Sequence, residues 1–294
     1  MSQISLVIYQ GLVLGAIYAL MALAFTLVYG ALRFLNLSLG ALFTLGAYVA
    51  FVISGQLGLP AIAGIVGAFV LVGLAGVGVY QIAVRPLVGR PGWEIASIIS
   101  TLGVGIVIQQ LIQLVWGPRN QAMPEIVSGN LRVGDVLVIQ YQRVAVVLVS
   151  LVVMTALWFF LTRSRHGLAI RAVAQNRDAA YLNGASVNRI FMLVMALGSG
   201  LAAVAGVLLS TVLISLNPTV GLSYALRGLV VTIFGGLGSI TGTLAAAFII
   251  GLFEAFVSVY LGEGWKLPAL FLFLIVVLVI RPGGLAGVSA EERT

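Results

Sequence analysis

The chain contains no cysteine and a single histidine, His166. Disulfides and thiol redox chemistry are thereby excluded, and a metal centre of the usual His and Cys type has no ligands to draw on. Charge is also scarce: only 8% of the 294 residues are Asp, Glu, Lys or Arg, against about 25% in a soluble domain. Lysine occurs once, as Lys266 between Trp265 and Leu267. A P-loop needs a glycine-rich turn ending in Gly-Lys-Ser or Gly-Lys-Thr so that the ammonium reaches the nucleotide phosphates. The chain has no such turn, and His166 lies in a basic stretch with no nucleophile to activate. No enzymatic chemistry and no cofactor bound by this chain are expected.

What the chain has in abundance is apolar sequence: 61% of its residues are hydrophobic and its mean hydropathy is +1.18. Runs near the ~20 residues that cross a ~30 Å hydrocarbon core recur along its length. They fall at roughly 4–31, 36–55, 60–83, 94–116, 141–162, 189–214, 222–236, 240–261 and 267–280. The fold class is therefore an all-α integral membrane protein, a polytopic helical bundle of about eight to ten membrane segments. The first run is too long for a signal-peptide core and reads as a retained helix. The seventh is short and flanked by glycine, as a half-helix or re-entrant piece would be. Broken, glycine-containing stretches at 30–48 and 221–242 occupy corresponding places in the two halves, the pattern of transporters with inverted repeats and broken helices. Gly11 with Gly15 has the spacing of close helix packing.

The formal net charge of +7 reads as membrane topology rather than nucleic-acid binding. With alternating segments and an outside N-terminus, ten basic residues face the cytoplasm: Arg33, Arg85, Arg90, Arg163, Arg165, Arg171, Arg177, Arg189, Arg281 and Arg293. The reverse orientation leaves Arg119, Arg132, Arg143, Arg227 and Lys266 inside. The positive-inside rule favours N-terminus out and C-terminus in. On that topology residues 117–140 form the longest external loop, and the alternation of LRVGDVLVIQ around Gly134-Asp135 suggests a short hairpin or strand.

Polar residues inside apolar segments are few. Glu254 is the one acidic residue deep in such a segment, and a charge at mid-bilayer costs about 2.5–3.5 kcal/mol on insertion scales. It either lines a path for substrate or proton or joins two helices as a buried hydrogen-bonding group. Arg227 stands near a segment end, where snorkelling to the interface is expected rather than an ion pair. Thr26, Asn36, Ser38, Thr44, Ser97, Ser100, Thr101, Gln109 and Gln110 either line a polar route or bond helix to helix. Among them Asn36 and Ser38, close to a segment break, stand out. Asn36, Ser38, Thr101 and Glu254 are the candidate path residues.

One stretch breaks the apolar background, the basic island at 163–189. No proline interrupts Leu168 to Asn183, and Ala169, Ala172, Val173, Asn176, Ala179 and Ala180 recur at helical spacing. The spacing predicts one helix carrying a stripe of small residues, stopped by Gly184. Such a stripe suits close seating in a partner's groove, with Arg171, Gln175 and Asp178 bonding its rim. An amphipathic helix on anionic lipid is the alternative, although the stripe lacks the large apolar anchors such helices use.

Asp178-Ala179-Ala180-Tyr181-Leu182-Asn183-Gly184 resembles the EAA-xxx-G coupling motif of ABC importer permeases, with Asp in the first place and without the later Ile-x-Leu-Pro part. Other segments resemble the branched-chain amino acid permease family, on its LivH-like side. Gly11 to Leu20 resembles its first helix, and Asn36-Leu37-Ser38-Leu39-Gly40 with Gly46-Ala47-Tyr48 its second. Arg171-Ala172 through Gly184 with Val187-Asn188-Arg189 resembles its cytoplasmic loop. Gly235 to Ile240 with Gly242 and Glu254, and the ending Arg281-Pro282-Gly283-Gly284-Leu285, are similar to its last third. The family often has His where Leu39 stands and an acidic or small polar residue where Ala41 stands, which puts cargo identity in doubt.

The resemblance implies a single transmembrane permease domain over 1–294, in the inner membrane of a bacterial-type cell. It implies alternating access for branched-chain or related small amino acids or amides. Arg171, Asp178, Ala179, Ala180 and Gly184 would form the contact with two cytoplasmic ATPases, which use ATP and Mg. A periplasmic or extracellular binding protein would deliver cargo. A related second permease, LivM-like, would complete the pathway, a homodimer being the alternative. The rival reading is an ion-coupled secondary transporter or channel using Glu254; a cargo-free membrane scaffold leaves the broken segments unexplained.

Overall fold

The computed structural model describes residues 3–123, 129–133, 137–281 and 283–286. The Gly134-Asp135 turn and Arg293 lie outside the described residues. Long apolar runs become helices because hydrocarbon offers no partner for backbone N–H and C=O groups, so each segment must satisfy its own. Along the chain these are α1 (Gln3–Leu32), α2 (Leu39–Ala50), α3 (Ala61–Val79), α4 (Trp93–Trp116) and α5 (Tyr141–Arg163). There follow α6 (Arg165–Gln175), α7 (Arg177–Leu182), α8 (Val187–Leu213), α9 (Val220–Gly235), α10 (Ile240–Tyr260) and α11 (Lys266–Ile280). Wider helical turns extend α2 through Phe51–Gln56 and α3 through Tyr80–Val84. Among the described residues eight helices are long and apolar enough to cross a membrane, α11 being counted with the tight turn Glu263–Trp265 that leads into it, and α9, with 16 residues, is shorter. The expected bundle with its short seventh segment is thus observed.

α1 and α8 form the axis of the bundle. Tyr18 to Phe25 of α1 and Leu201 to Leu209 of α8 are buried without interruption, as befits helices apolar all round. Small residues set the spacing. A Cβ on Gly11 would lie 2.8 Å from the Leu252 Cα, and one on Gly15 3.1 Å from the Phe248 Cα. The Gly11 and Gly15 pair therefore serves the close α1–α10 approach that its spacing predicts. Gly206 of α8 meets the Phe43 backbone of α2 in the same way. α4, α5 and α11 lie at the periphery, with Leu114, Val152 and Val279 exposed.

The two interrupted segments meet inside the bundle. The link between α1 and α2 leaves the end of α1 at Arg33 and climbs inward. Leu37 N donates to Thr101 Oγ1 at 3.3 Å, and the backbone of Ser38 packs on Gly105. Those two α4 residues lie about 12 and 18 Å along the helix from Trp93 at ~1.5 Å per residue. α2 thus begins well inside the bundle, where Gly40 touches Gly221 at the start of α9 and Phe43 stacks on Tyr224 at 5.7 Å.

At one end of the bundle, β1 (Asn130–Val133) pairs antiparallel with β2 (Leu137–Gln140), Asn130 opposite Gln140, which is the expected hairpin. Gln121 and Leu216 exchange backbone hydrogen bonds of 3.0 and 2.8 Å, fastening the 117–123 stretch to the α8–α9 link. At the other end gather the connections assigned to a common side by charge. Arg33 reaches Ala174, Trp93 lies beside Phe34 and Arg177, Gly238 approaches Gly30, and Leu285 N bonds to Phe234 O.

Candidate functional site

The basic island lies at this second end. Ser164 Oγ accepts from Gly167 N at 2.8 Å and caps α6. The single helix expected over Leu168–Asn183 is not observed: Asn176 is extended (φ −151°, ψ 109°) and divides α6 from α7. Its Oδ1 accepts from Ala179 N at 3.0 Å. Asparagine competes with the helix for its own backbone and caps a new start instead. Gly184 ends α7 with φ 84°, the left-handed stop expected of it.

Four of the six residues in the stripe face the chain itself. Val173 and Ala180 are buried, and Ala169 and Ala172 pack against the core. Small side chains here allow α6 to lie close on α5, with Gly167 against the Phe160 and Leu161 backbone. Asn176 and Ala179 of the same stripe are exposed. Of the five expected contact residues, Arg171, Asp178, Ala179 and Gly184 are exposed and Ala180 is not. The outer face also carries bare apolar side chains: Leu168, Tyr181 and Leu182, the last 83% exposed.

The candidate path residues separate into two groups. Asn36, Ser38 and Thr101 come together at the α1–α2 break, all fully buried. Asn36 Oδ1 accepts from Ser38 N at 3.0 Å and Ser38 Oγ at 2.6 Å, and Thr101 Oγ1 donates to Ile98 O at 3.1 Å while receiving Leu37 N. These groups satisfy backbone that the break leaves without helical partners, which irregular chain at membrane depth requires. Leu39 and Ala41 are buried beside them.

Glu254 lies apart from that group. Tyr18 OH donates to its Oε2 at 2.6 Å and Arg227 Nε to its Oε1 at 2.9 Å. Arg227 also donates to Ser223 O at 3.3 Å and lies 4.8 Å from the Tyr224 ring centre. The snorkelling expected of Arg227 is therefore wrong: it is buried and paired. Its charge is met inside the bundle by the Glu254 carboxylate of α10, as a charge in an apolar segment requires. The opposite signs of Arg227 and Glu254 in neighbouring apolar segments were the available signal. Nothing in the sequence pointed to Tyr18 or Tyr224. The cluster joins α1, α9 and α10, and Thr232 donating to Ala22 O and Thr26 against Thr243 add further polar ties between the same helices.

Residues 7–280 match the family described as branched-chain amino acid transport system, permease component. The chain belongs to that family. This permease is 33% identical over 297 residues to the high-affinity branched-chain amino acid transport system permease protein LivH of Escherichia coli, covering 97% of this chain and 96% of that one. It is 32% identical to the corresponding protein BraD of Pseudomonas aeruginosa, with the same coverage. Among solved structures, PsaBC from Streptococcus pneumoniae in complex with Fab superposes with a TM-score of 0.50 over 96% of this chain and 93% of that one. At 15% identity that likeness is one of fold. The permease is a multi-pass membrane protein by its helices and its relatives alike.

Proposed function

We propose that this permease is one of the two membrane subunits of an inner-membrane importer for branched-chain or closely related small amino acids or amides. Two cytoplasmic ATPases supply the drive by hydrolysing ATP with Mg, and a binding protein delivers cargo to the opposite face, at residues 117–140. The second membrane subunit is a related LivM-like chain. The N-terminus is outside and the C-terminus in the cytoplasm.

One observation carries this reading: α6 and α7 seat one face on the bundle and leave Leu168, Tyr181 and Leu182 exposed on the other, with Arg171 and Asp178 exposed as well. Apolar side chains bared among charges mark a protein contact. A secondary transporter needs no such element. The reading shifts the contact from the inward stripe to the outer face, with Arg171, Asp178, Ala179 and Gly184 retained and Ala180 serving the seat beneath. Glu254 acts as a helix tie, its two oxygens engaged by Tyr18 and Arg227, which leaves the ion-coupled rival without its site.

Affinity purification of the tagged chain from its native membrane tests the proposal, alongside uptake of labelled leucine, isoleucine and valine. An ATPase with a Walker A motif and a second permease are expected to co-purify. The double substitution Tyr181→Ser with Leu182→Ser should abolish ATPase recovery and uptake. Recovery of the chain alone, still moving solute along an ion gradient, contradicts it.

A further inference from the structure

Arg177 is the first residue of α7, at the joint Asn176 creates. Its guanidinium carbon lies 5.8 Å from the Trp93 ring centre and 5.3 Å from that of Phe191. Among the described residues no carboxylate pairs with it, so these two rings are the fixed partners of a cation on an otherwise solvated element. Each ring belongs to a different helix, Trp93 opening α4 and Phe191 standing one turn into α8. Cation–π attraction strengthens as the pair is desolvated, and a planar guanidinium suits ring faces better than an ammonium does.

Both rings lead further into the bundle. Trp93 meets Phe34 edge-on at 6.1 Å. Phe34 belongs to the α1–α2 link, whose Leu37 is held by Thr101 two turns further along α4. Phe191 meets Tyr80 edge-on at 6.3 Å, and Tyr80 OH donates to Asn188 Oδ1 at 2.6 Å. Four residues beyond Phe191, Met195 Sδ receives Asn36 Nδ2 at 3.5 Å. The same link is fixed from its other side: Arg33, with φ 60° at the end of α1, donates to Ala174 O of α6 at 2.7 Å. The α1–α2 break is therefore joined to α6–α7 by one arginine from each partner.

We propose that Arg177 is a positioning residue for transport, a clasp that carries displacement of α6–α7 into α4 and α8 on either side of the α1–α2 break. The proposal rests on α6–α7 being the element the ATPases engage. Docking belongs to the outer face of the element; Arg177 acts on its inner side, so the two functions separate by mutation.

The absence of cysteine makes a direct test practical. Spin labels at His166→Cys and Ile99→Cys, both exposed positions, report the distance between α6 and α4 in the assembled transporter. Arg177→Ala is expected to broaden that distance distribution and lower uptake about tenfold, a mid-range energetic coupling. The ATPases should stay bound and continue to hydrolyse ATP. Arg177→Lys should restore part of both readouts, since the charge remains without the planar fork. An unchanged distribution or wild-type uptake in Arg177→Ala overturns the clasp. Loss of the ATPases from Arg177→Ala overturns it too, because the residue would then be a docking contact. A wild-type preparation without any ATPase is a separate failure: it removes the docking reading, and with it the transport role of Arg177, whatever the distances show.

Discussion

Inside the bundle Tyr18 and Arg227 each donate to Glu254 and all three are buried, whereas on α6–α7 Arg171, Gln175 and Asp178 are exposed along with Leu168, Tyr181 and Leu182. The difference follows from surroundings. A charge at membrane depth must find its partner within the protein. Outside the hydrocarbon water serves as well, so polar and apolar groups alike can be left free for another chain. Closure inside and openness outside are two ways of using the same scarce polar residues, one holding helices together and one leaving side chains exposed to water.

The strongest way to break that contrast is Arg227→Met. It strands the Glu254 carboxylate without its cation, and removal of one partner from a buried pair costs about 3–5 kcal/mol. Unfolding in detergent should register this loss. Arg227→Met combined with Glu254→Leu should recover most of it, because a buried pair replaced by apolar side chains is often neutral or better. Additive losses in the double variant would mean that each charge has its own role, and the tie would lose its meaning. Tyr18→Phe removes one hydrogen bond to a charged group and should cost about 1.5–3 kcal/mol by the same assay. At the small end, the Tyr181→Ser, Leu182→Ser variant should unfold within about 0.5 kcal/mol of wild type although it no longer recovers the ATPase. A loss as large as that of Tyr18→Phe would place those side chains in the chain's own packing.

Much of this was legible in the sequence. Segment positions, the short α9, the hairpin at 130–140 and the Gly184 stop follow from local rules: apolar run length, alternation and the left-handed preference of glycine. The meeting of the two interrupted segments was legible only as glycines in corresponding places. What local rules did not reach was decided by long-range contact. Asn176 reads equally well as a helical position or as a cap, and the fold uses it as a cap. The small stripe reads as a surface for a partner until α5 is seen beneath it. Arg227 reads as an interfacial residue because its distance from the segment end is visible and its meeting with Glu254 of α10 is not. Tyr18 carries no signal at all, since a tyrosine in an apolar helix looks alike whether it packs or donates.

The central claim, that α6–α7 is an open docking element on the cytoplasmic face, is tested most directly by cross-linking. A single cysteine at Leu182→Cys in this cysteine-free chain, treated with a short bifunctional reagent in native membranes, is predicted to give an adduct containing the ATPase. Ile275→Cys, on the exposed side of α11, should give none. An adduct of Leu182→Cys with the binding protein, or no adduct while uptake persists, would contradict the account.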